Sequence, residues 1–547
     1  MLGQMMDYQL PLTPMLDRAR RLFPNKVVST KTPGGMERMT YAQIAERAAR
    51  LASSLERMGV KRGERVATFA WNNNRHLELY FAVPCMGAVL HPLNIRLSPD
   101  QVAFIAQHAD DQVIFVDPTL LPLAEKFAPN LKNVRFYVIM GDKVPENTTL
   151  SPVYAYEDLV ASGDPGFAWP QIQEGDAAAM CYTSGTTGNP RGVVYSHRAI
   201  FLHTMGLGMA DNFGITERDV FMPVVPMFHV LAWGTPFVAT MLGATVVFPG
   251  QFLTPPDLAA LIEAEHVTLA AGIPTLWIGM TQVMDREPKD LSSLRAIIAG
   301  GAPVPKSLIE TYEKKYGVTM VQGWGMTEMS PVGAMSHLKS YQVDLPAEQR
   351  YALRARTGRP VPGVEVRVVD EEGHELPWDG ESVGELQVRG PWIVGSYYND
   401  ETSTEAFQDG WFRTGDVVNI DPEGFIQIVD RIRDLVKSGG EWISSVELEN
   451  ALMAHPKVLE ASVVAIHHPK WLERPLACVV PKPEHKDSLT KDELYAHLET
   501  MFPKWWMPDD IVFIEAVPKT SVGKFDKKVL RAQFGDYHAP EEAAVEG

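Results

Sequence analysis

Residues 182–192 read YTSGTTGNPRG, directly after the apolar run AAAMCY. Glycines (Gly185, Gly188, Gly192) let the backbone turn tightly and aim its amide hydrogens inward. A row of such amides, joined by the hydroxyls of Thr183, Ser184, Thr186 and Thr187 and by the cation Arg191, makes a cradle for phosphate oxygens. The apolar run predicts a strand that delivers this loop, so the fold must supply a sheet behind it. Two familiar patterns fail by spacing. A GxxxxGK loop would need Gly where Pro190 stands, and a GxSxG elbow would need Gly where Tyr182 stands. A polar surface turn is the plainer alternative.

A chain of 547 residues exceeds one ordinary core and predicts two or more domains. The net charge of −18, with no dense basic patch, argues against a nucleic-acid partner. Cys85, Cys181 and Cys478 are too far apart for zinc spacing or a disulfide scaffold, which fits a reducing, cytoplasmic setting. MLGQMMDYQL lacks the pattern of a signal peptide. From Val220 to Pro256 no charged residue occurs, yet Pro223, Pro226, Pro236 and Pro249 interrupt the stretch, so buried strand–loop–helix is expected there and no transmembrane segment.

Helical spacing over 40–60, ending at Gly59, is followed by the strand RVATFAW and a second helix through HLELYFAVPCMGAV. Short apolar runs (QVIFVD, RFYVIM, ATVVFP, LRAIIAGG) then alternate with helical patterns, which predicts α/β layers with largely parallel sheets. From about 355 to 430 short alternating strands (VEVRVVD, GELQVRG, FIQIVD) predict a small β subdomain. After the charged DRIRD, a helix at 445–454, strands at ASVVAI and ACVV, and a helix at 490–501 predict a compact α+β unit. The expected fold class is therefore α/β: a large N-terminal domain over 1–430, with parallel-rich layers and the β subdomain, and a small C-terminal α+β domain over 435–547.

Four further segments carry candidate chemistry. IIAGGAPVP ends a strand in a glycine turn at Gly301, Ala302 and Pro303, where open α/β sheets hold ligands. QGWGMTE offers Trp324 to stack on a purine, then Gly325 and Met326, Thr327 to reach a phosphate, and Glu328 for magnesium together with phosphate oxygens. WFRTGDVV places Asp416 where a carboxylate can accept both hydroxyls of a ribose. PKTSVGKFDK carries Lys524 on a Gly-led loop. Taken singly, each has a plainer reading: Trp324 as core, Asp416 as a turn cap, Lys524 as a solvated charge.

Read together and in order, YTSGTTGNPRG, GWGMTE, WFRTGD, DRIRDLVKSGGEWIS and PKTSVGKFDK resemble the acyl-adenylate-forming superfamily of acyl-CoA synthetases, peptide-synthetase adenylation domains and beetle luciferases. The resemblance implies a ligation in two steps. A carboxylate attacks the α-phosphate of MgATP to give acyl-AMP and pyrophosphate, and a thiol then displaces AMP. It also implies roles. Thr183, Ser184, Thr186 and Thr187, with Gly185, Gly188 and Arg191, would hold the β- and γ-phosphates. Gly301, Ala302 and Pro303 would line the adenine edge, with Trp324 stacked where the family usually has Tyr. Thr327 would touch the α-phosphate, Glu328 and Thr183 would hold Mg2+, and Asp416 and Arg431 the ribose. Lys524 would bridge the substrate carboxylate and the α-phosphate. His229, with Val230 and Trp233, would line the acyl pocket, Trp233 following at i+4 if the stretch is helical. Lys437, Gly439 and Gly440 would flank the pantetheine arm of coenzyme A after the C-terminal domain rotates about a hinge at 431–434.

Two departures stand out. The phosphate loop ends PRG rather than PKG, which replaces a point charge with a planar fork at Arg191. Arg433 lies between Arg431 and Asp434 in the hinge, so the pivot is open to within a residue. The overall texture resembles short- to medium-chain fatty acyl-CoA synthetases and 3-methylmercaptopropionate–CoA ligases. The sequence runs only a short way past Lys524, so no fused carrier domain is expected, which favours free coenzyme A over the alternative of a standalone adenylation enzyme loading a carrier protein. A homodimer is a family-level expectation.

Overall fold

In the computed structural model the described residues are 1, 3–183, 190–400, 403–438, 441–520, 525–535 and 537. The chain forms two compact units: Met1–Glu365 with Arg389–Phe412, and Val366–Val388 with Arg413–Gly547.

The first unit is built on two sheets. One contains β3 (Arg65–Phe69), β4 (Val89–Pro92), β5 (Asp111–Val116), β6 (Phe136–Ile139), β7 (Val153–Ala155), β8 (Ala177–Tyr182) and β9 (Gly192–Ser196), in the order β7-β6-β5-β3-β4-β8-β9. All its neighbours are parallel except β8 and β9. The other contains β1 (Val27–Thr32), β2 (Gly35–Thr40), β10 (Val220–Pro223), β11 (Thr245–Phe248), β12 (Leu269–Gly272), β13 (Ala296–Gly300), β14 (Thr319–Gly325), β15 (Val332–Met335) and β16 (Arg359–Pro360). Its order is β16-β15-β14-β13-β12-β10-β11-β1-β2, parallel from β14 to β1 with antiparallel edges. Each apolar run of the expected α/β alternation becomes a strand, because a strand covered on both faces has no polar face to alternate with.

Local chemistry sets the helix ends. Thr40 and Gln43 form a reciprocal capping box that starts the helix Tyr41–Arg57, and Gly59 leaves it at φ +86°. Trp277, Tyr312, Ile297 and Met320 fill one apolar core beneath the second sheet; Phe69, Phe115, Phe127 and Ile139 are buried against the first. The uncharged stretch from Val220 resolves into β10, a turn, the eight-residue helix Thr235–Leu242 and β11. Among the described residues no helix is long and apolar enough to cross a membrane.

In the second unit the strands Val436–Ser438, Glu441–Ile443, Val458–His468, Leu472–Pro481 and Asp510–Phe513 make one mostly antiparallel sheet. The helices Ser445–Ala454 and Lys491–Glu499 bury Leu448, Leu452, Leu494 and Leu498 with this sheet's core.

Three buried histidines of the first unit make its stability depend on pH. Burial depresses His76 and His197 to about 4 and His203 to about 3 from an ordinary 6.5. Their folded values lie below the unfolded one, so the stabilisation is complete above about pH 6.5 and is lost as pH falls toward the folded values. At pH ~5 each should cost about 2 kcal/mol. Denaturant midpoints should therefore fall clearly between pH ~7.5 and ~5; equal midpoints would contradict the neutral, buried state of these rings.

Candidate active site

The hydroxyl-rich loop joins β8 to β9. Their antiparallel register pairs Tyr182 with Gly192. Just beyond, the Thr183 amide donates to the Arg191 carbonyl at 2.9 Å, and the Arg191 amide donates to Thr183 Oγ1 at 3.0 Å. The loop is thus pinched at its base by the two residues that bracket it. Thr183 Oγ1 keeps one lone pair and its proton for another partner. Ser184, Gly185, Thr186, Thr187 and Gly188 lie outside the described residues.

Arg191 leads to the next element. Its guanidinium sits 5.0 Å from the centroid of the Tyr397 ring and 3.5 Å from the Asp400 carboxylate. A planar fork can stack on an aromatic face in a way an ammonium cannot, which gives the PRG departure a physical basis. The Tyr397 hydroxyl in turn donates to Glu328 Oε1 at 2.7 Å. Burial, reinforced by Glu328, raises the pKa of that phenol and keeps it a donor. Glu328, 7% exposed, lies in the short turn Thr327–Met329 that follows β14. Bonds to its carbonyls fix the turn: Tyr195 Oη donates to the Thr327 carbonyl at 2.7 Å, and the Val394 amide to the Glu328 carbonyl at 2.8 Å. A cavity of about 430 Å³ is bounded by Tyr195, Ser196, Ser330, Trp392 and Tyr397. A buried carboxylate held in one orientation suits Mg2+, which takes one or two carboxylates and completes its shell with water and substrate phosphates.

At the end of β13, Gly301 turns at φ +85°. The Ala302–Pro303 turn that follows is tied to β14 through Gln322, whose Oε1 accepts from the Val304 amide at 2.6 Å. Trp324 is half-buried on β14 opposite Ala334, next to an irregularity in register at Gly325. Gly325 has no room for a side chain, since a Cβ there would lie 2.1 Å from the Pro331 carbonyl oxygen. Met326 accepts that contact in hydrogen-bonded form, its amide donating to the same oxygen at 3.1 Å.

The acyl-pocket candidates need one correction. Val230 to Trp233 do not form a right-handed helix: φ is 36°, 39°, 50° and 58° at the four residues, a left-handed turn without glycine. The i+4 argument for Trp233 therefore does not apply. Each such residue costs about 1–2 kcal/mol, so tertiary contacts must impose the turn. It carries the buried Trp233 ring to the end of β13, where a Cβ on Gly300 would lie 3.1 Å from Cη2 of the indole. Trp233 thus reaches the strand end that leads into Gly301–Pro303. His229 is half-buried and opens the turn, its carbonyl accepting from the Ala232 amide at 2.9 Å.

The remaining candidates belong to the second unit. Asp416 and Arg431 are cross-strand partners on Trp411–Ile420 and Ile426–Arg431, with Nε of Arg431 3.0 Å from Oδ1 of the buried Asp416. After Arg431 the chain turns, the Asp434 and Leu435 amides both donating to the Arg431 carbonyl, and Arg433 Nε lies 3.7 Å from Asp434. Lys437 Nζ stands 4.4 Å from the centroid of the Trp442 ring. Gly439, Gly440 and Lys524 lie outside the described residues.

Comparison with known proteins settles the family. The AMP-binding enzyme family matches residues 16–398, and the AMP-binding enzyme C-terminal domain matches 447–524. The chain belongs to the AMP-binding enzyme family. It is 49% identical over 539 residues to a long-chain-fatty-acid–CoA ligase of Thermus thermophilus, covering 98% of this chain and 97% of that one. It is 45% identical to a 3-methylmercaptopropionyl-CoA ligase of Ruegeria pomeroyi, covering 98% and 99%. Among solved structures it resembles the anthranilate CoA ligase AuaEII in complex with anthranoyl-AMP (TM-score 0.85, 25% identity, 97% and 98% covered). It also resembles ATP-bound MatB from Rhodopseudomonas palustris (TM-score 0.81, 26% identity, 96% and 99% covered).

For an AMP-binding enzyme, then, the ordered motifs pointed to the right family. Several residues that shape the candidate site had no such signal. Tyr397 and Tyr195 hold the Glu328 turn from distant segments, and Gln322 fixes the Gly301–Pro303 turn from an adjacent strand. Tyr397 lies in SYYND, which matches none of the motifs read in the sequence.

Proposed function

We propose that the chain is an ATP-dependent acyl-CoA ligase acting on a short- to medium-chain carboxylic acid, with 3-methylmercaptopropionate a leading candidate. The observation that carries the CoA-ligase reading is the near full-length similarity, at 49% and 45% identity, to two CoA ligases; the first of these is named for long-chain fatty acids, so the short- to medium-chain part rests on the acid panel below. A carboxylate oxygen attacks the α-phosphorus of ATP and pyrophosphate leaves, giving acyl-AMP. The thiol of coenzyme A then attacks the acyl carbon and AMP leaves with the C–O bonding pair. The first step is needed because a carboxylate has no good leaving group, whereas a mixed anhydride does.

In this reading Thr183, Ser184, Gly185, Thr186, Thr187, Gly188 and Arg191 receive the β- and γ-phosphates. Trp324, Gly325, Met326 and Gly301–Pro303 receive the adenine. Thr327 contacts the α-phosphate. Asp416 and Arg431 hold the ribose. His229, Val230 and Trp233 receive the acyl group. Lys437, Gly439 and Gly440 take the pantetheine arm after a rotation about 431–434. Glu328 and Thr183 would hold Mg2+, which when bound neutralises phosphate charge. The cytoplasmic location and the homodimer belong to the same proposal, and light scattering checks the latter.

Acids from acetate to decanoate, with sulfur-containing acids included, should release pyrophosphate with an optimum at short to medium length and yield a thioester with free coenzyme A. No pyrophosphate with any acid, or a thioester only on a phosphopantetheinyl carrier, would overturn the reading. Glu328→Gln keeps the shape and removes the charge. Adenylation should drop on the order of 100-fold and recover in part at high Mg2+. An unchanged rate and Mg2+ dependence would remove Glu328 from the metal.

A further inference from the structure

The segment from the end of β10 to His229 is held chiefly by a side chain that no motif pointed to. Asn72 follows β3 in the first sheet and is 4% exposed. Its Nδ2 donates to the carbonyl of Pro223, the last residue of β10, at 2.9 Å and to that of Val225 in the following loop at 2.7 Å, while its Oδ1 accepts from the Met227 amide at 2.7 Å. Both amide hydrogens and the carbonyl oxygen of one buried side chain are thus committed to five consecutive residues some 150 positions away. The main chain of Asn72 also bridges Gly250, just past β11. The Tyr80 hydroxyl, on the helix Asn74–Cys85, donates to the Met227 carbonyl.

What this clamp holds explains its completeness. The His229 amide donates back to the Pro226 carbonyl at 2.9 Å, so the clamped segment runs directly into the left-handed turn Val230–Trp233. On the far side Thr235 Oγ1 donates to the Ala232 carbonyl at 2.7 Å. A turn of four non-glycine residues with positive φ does not persist on local preference, so it needs fixed ends. Neighbouring asparagines have other tasks: Asn73 caps the helix Asn74–Cys85, and Asn74 bonds Thr30 on β1.

We propose that Asn72 is a positioning residue for the acid substrate: by holding Pro223–Met227 it sets the placement of His229 and of the Trp233 ring beside Gly300. The inference rests on the reading of His229 and Trp233 as acyl-pocket residues. No other common side chain supplies two donors and an acceptor at this length. Alanine leaves three backbone groups without partners, and aspartate turns a carboxylate toward two carbonyls.

Steady-state pyrophosphate release, followed while acid and ATP are varied separately, tests it. Asn72→Ala should raise KM for the acid about 10-fold or more and leave KM for ATP within about 3-fold. Tyr80→Phe, a milder change that keeps the fold if Asn72→Ala does not, should raise the acid KM alone by about 3-fold. Trp233→Ala should raise it too, and the double variant Asn72→Ala/Trp233→Ala should be little worse than the poorer single, because both act through one turn. Acid and ATP KM rising together with a lowered Tm, or penalties that multiply in the double variant, would overturn the inference and make Asn72 a purely structural residue. If His229→Ala and Trp233→Ala leave the acid KM unchanged, the pocket assignment falls and the inference with it. If they raise it while Asn72→Ala and Tyr80→Phe do not, the inference alone falls.

Discussion

Lys524→Ala is expected to lower acyl-AMP formation about 100- to 1000-fold while thioester formation from supplied acyl-AMP and coenzyme A stays within a few-fold. The reason lies in the charges of the first step. An anionic carboxylate must approach a phosphorus already surrounded by anionic oxygens, and negative charge shifts to the bridging oxygen as pyrophosphate departs. A single preorganised cation is worth ~3–4 kcal/mol in such a setting. In the second step the nucleophile meets an activated acyl carbon, and that repulsion is gone. Rapid-quench assays of each half-reaction decide the matter. An equal loss in both would mean that Lys524 supports the fold or both steps, and the separation of roles would fail.

The second large effect concerns stability. Lys527 opens the helix Lys527–Phe534 in the second unit, its side chain 10% exposed. Its Nζ lies 2.8 Å from Glu449 Oε1 and donates to Ser445 Oγ. Glu449 Oε1 also accepts from the Val463 amide at 2.7 Å, and Asp430 accepts from the Ser445 amide at 2.6 Å. Burial opposes the ammonium, but Glu449, Asp430 and Asp434 outweigh it and raise its pKa, so Lys527 stays charged. Lys527→Met removes the cation that offsets Glu449 and Asp430, while Asp434 keeps Arg531. The loss should be about 3–5 kcal/mol in urea or thermal unfolding. Lys527→Met/Glu449→Gln, which removes the pair together, should recover most of it. A single variant within about 1 kcal/mol of the parent would show that the carboxylates are protonated or hydrated in the native state.

Much of the α/β frame was legible because buried parallel strands leave continuous apolar runs such as AIIAG and VIFV, and because the helix at 445–454 has both its serine cap and its apolar spacing in sequence. The loop between β8 and β9 stood out through glycine and hydroxyl density, though Ser184–Gly188 lie outside the described residues. What could not be read was register and long-range contact. Asp416 and Arg431 were each singled out, but their pairing depends on how the Asp421–Gly424 turn sets the hairpin. Tyr397 approaches Glu328 from sixty-nine positions away, with no spacing rule to betray it. The left-handed path through Val230–Trp233 runs against local preference, since nothing in Val-Leu-Ala-Trp favours positive φ; packing at Gly300 and the bonds to Asn72 act across the fold.

Oxygen transfer tests the central chemistry most directly. With a substrate acid labelled in both carboxylate oxygens, the AMP released after thioester formation should carry one labelled oxygen on phosphorus, because the bond formed in adenylation and the bond broken by the thiol share that atom. Label appearing in inorganic phosphate with ADP as co-product, or AMP free of label, would contradict attack by the carboxylate on the α-phosphorus.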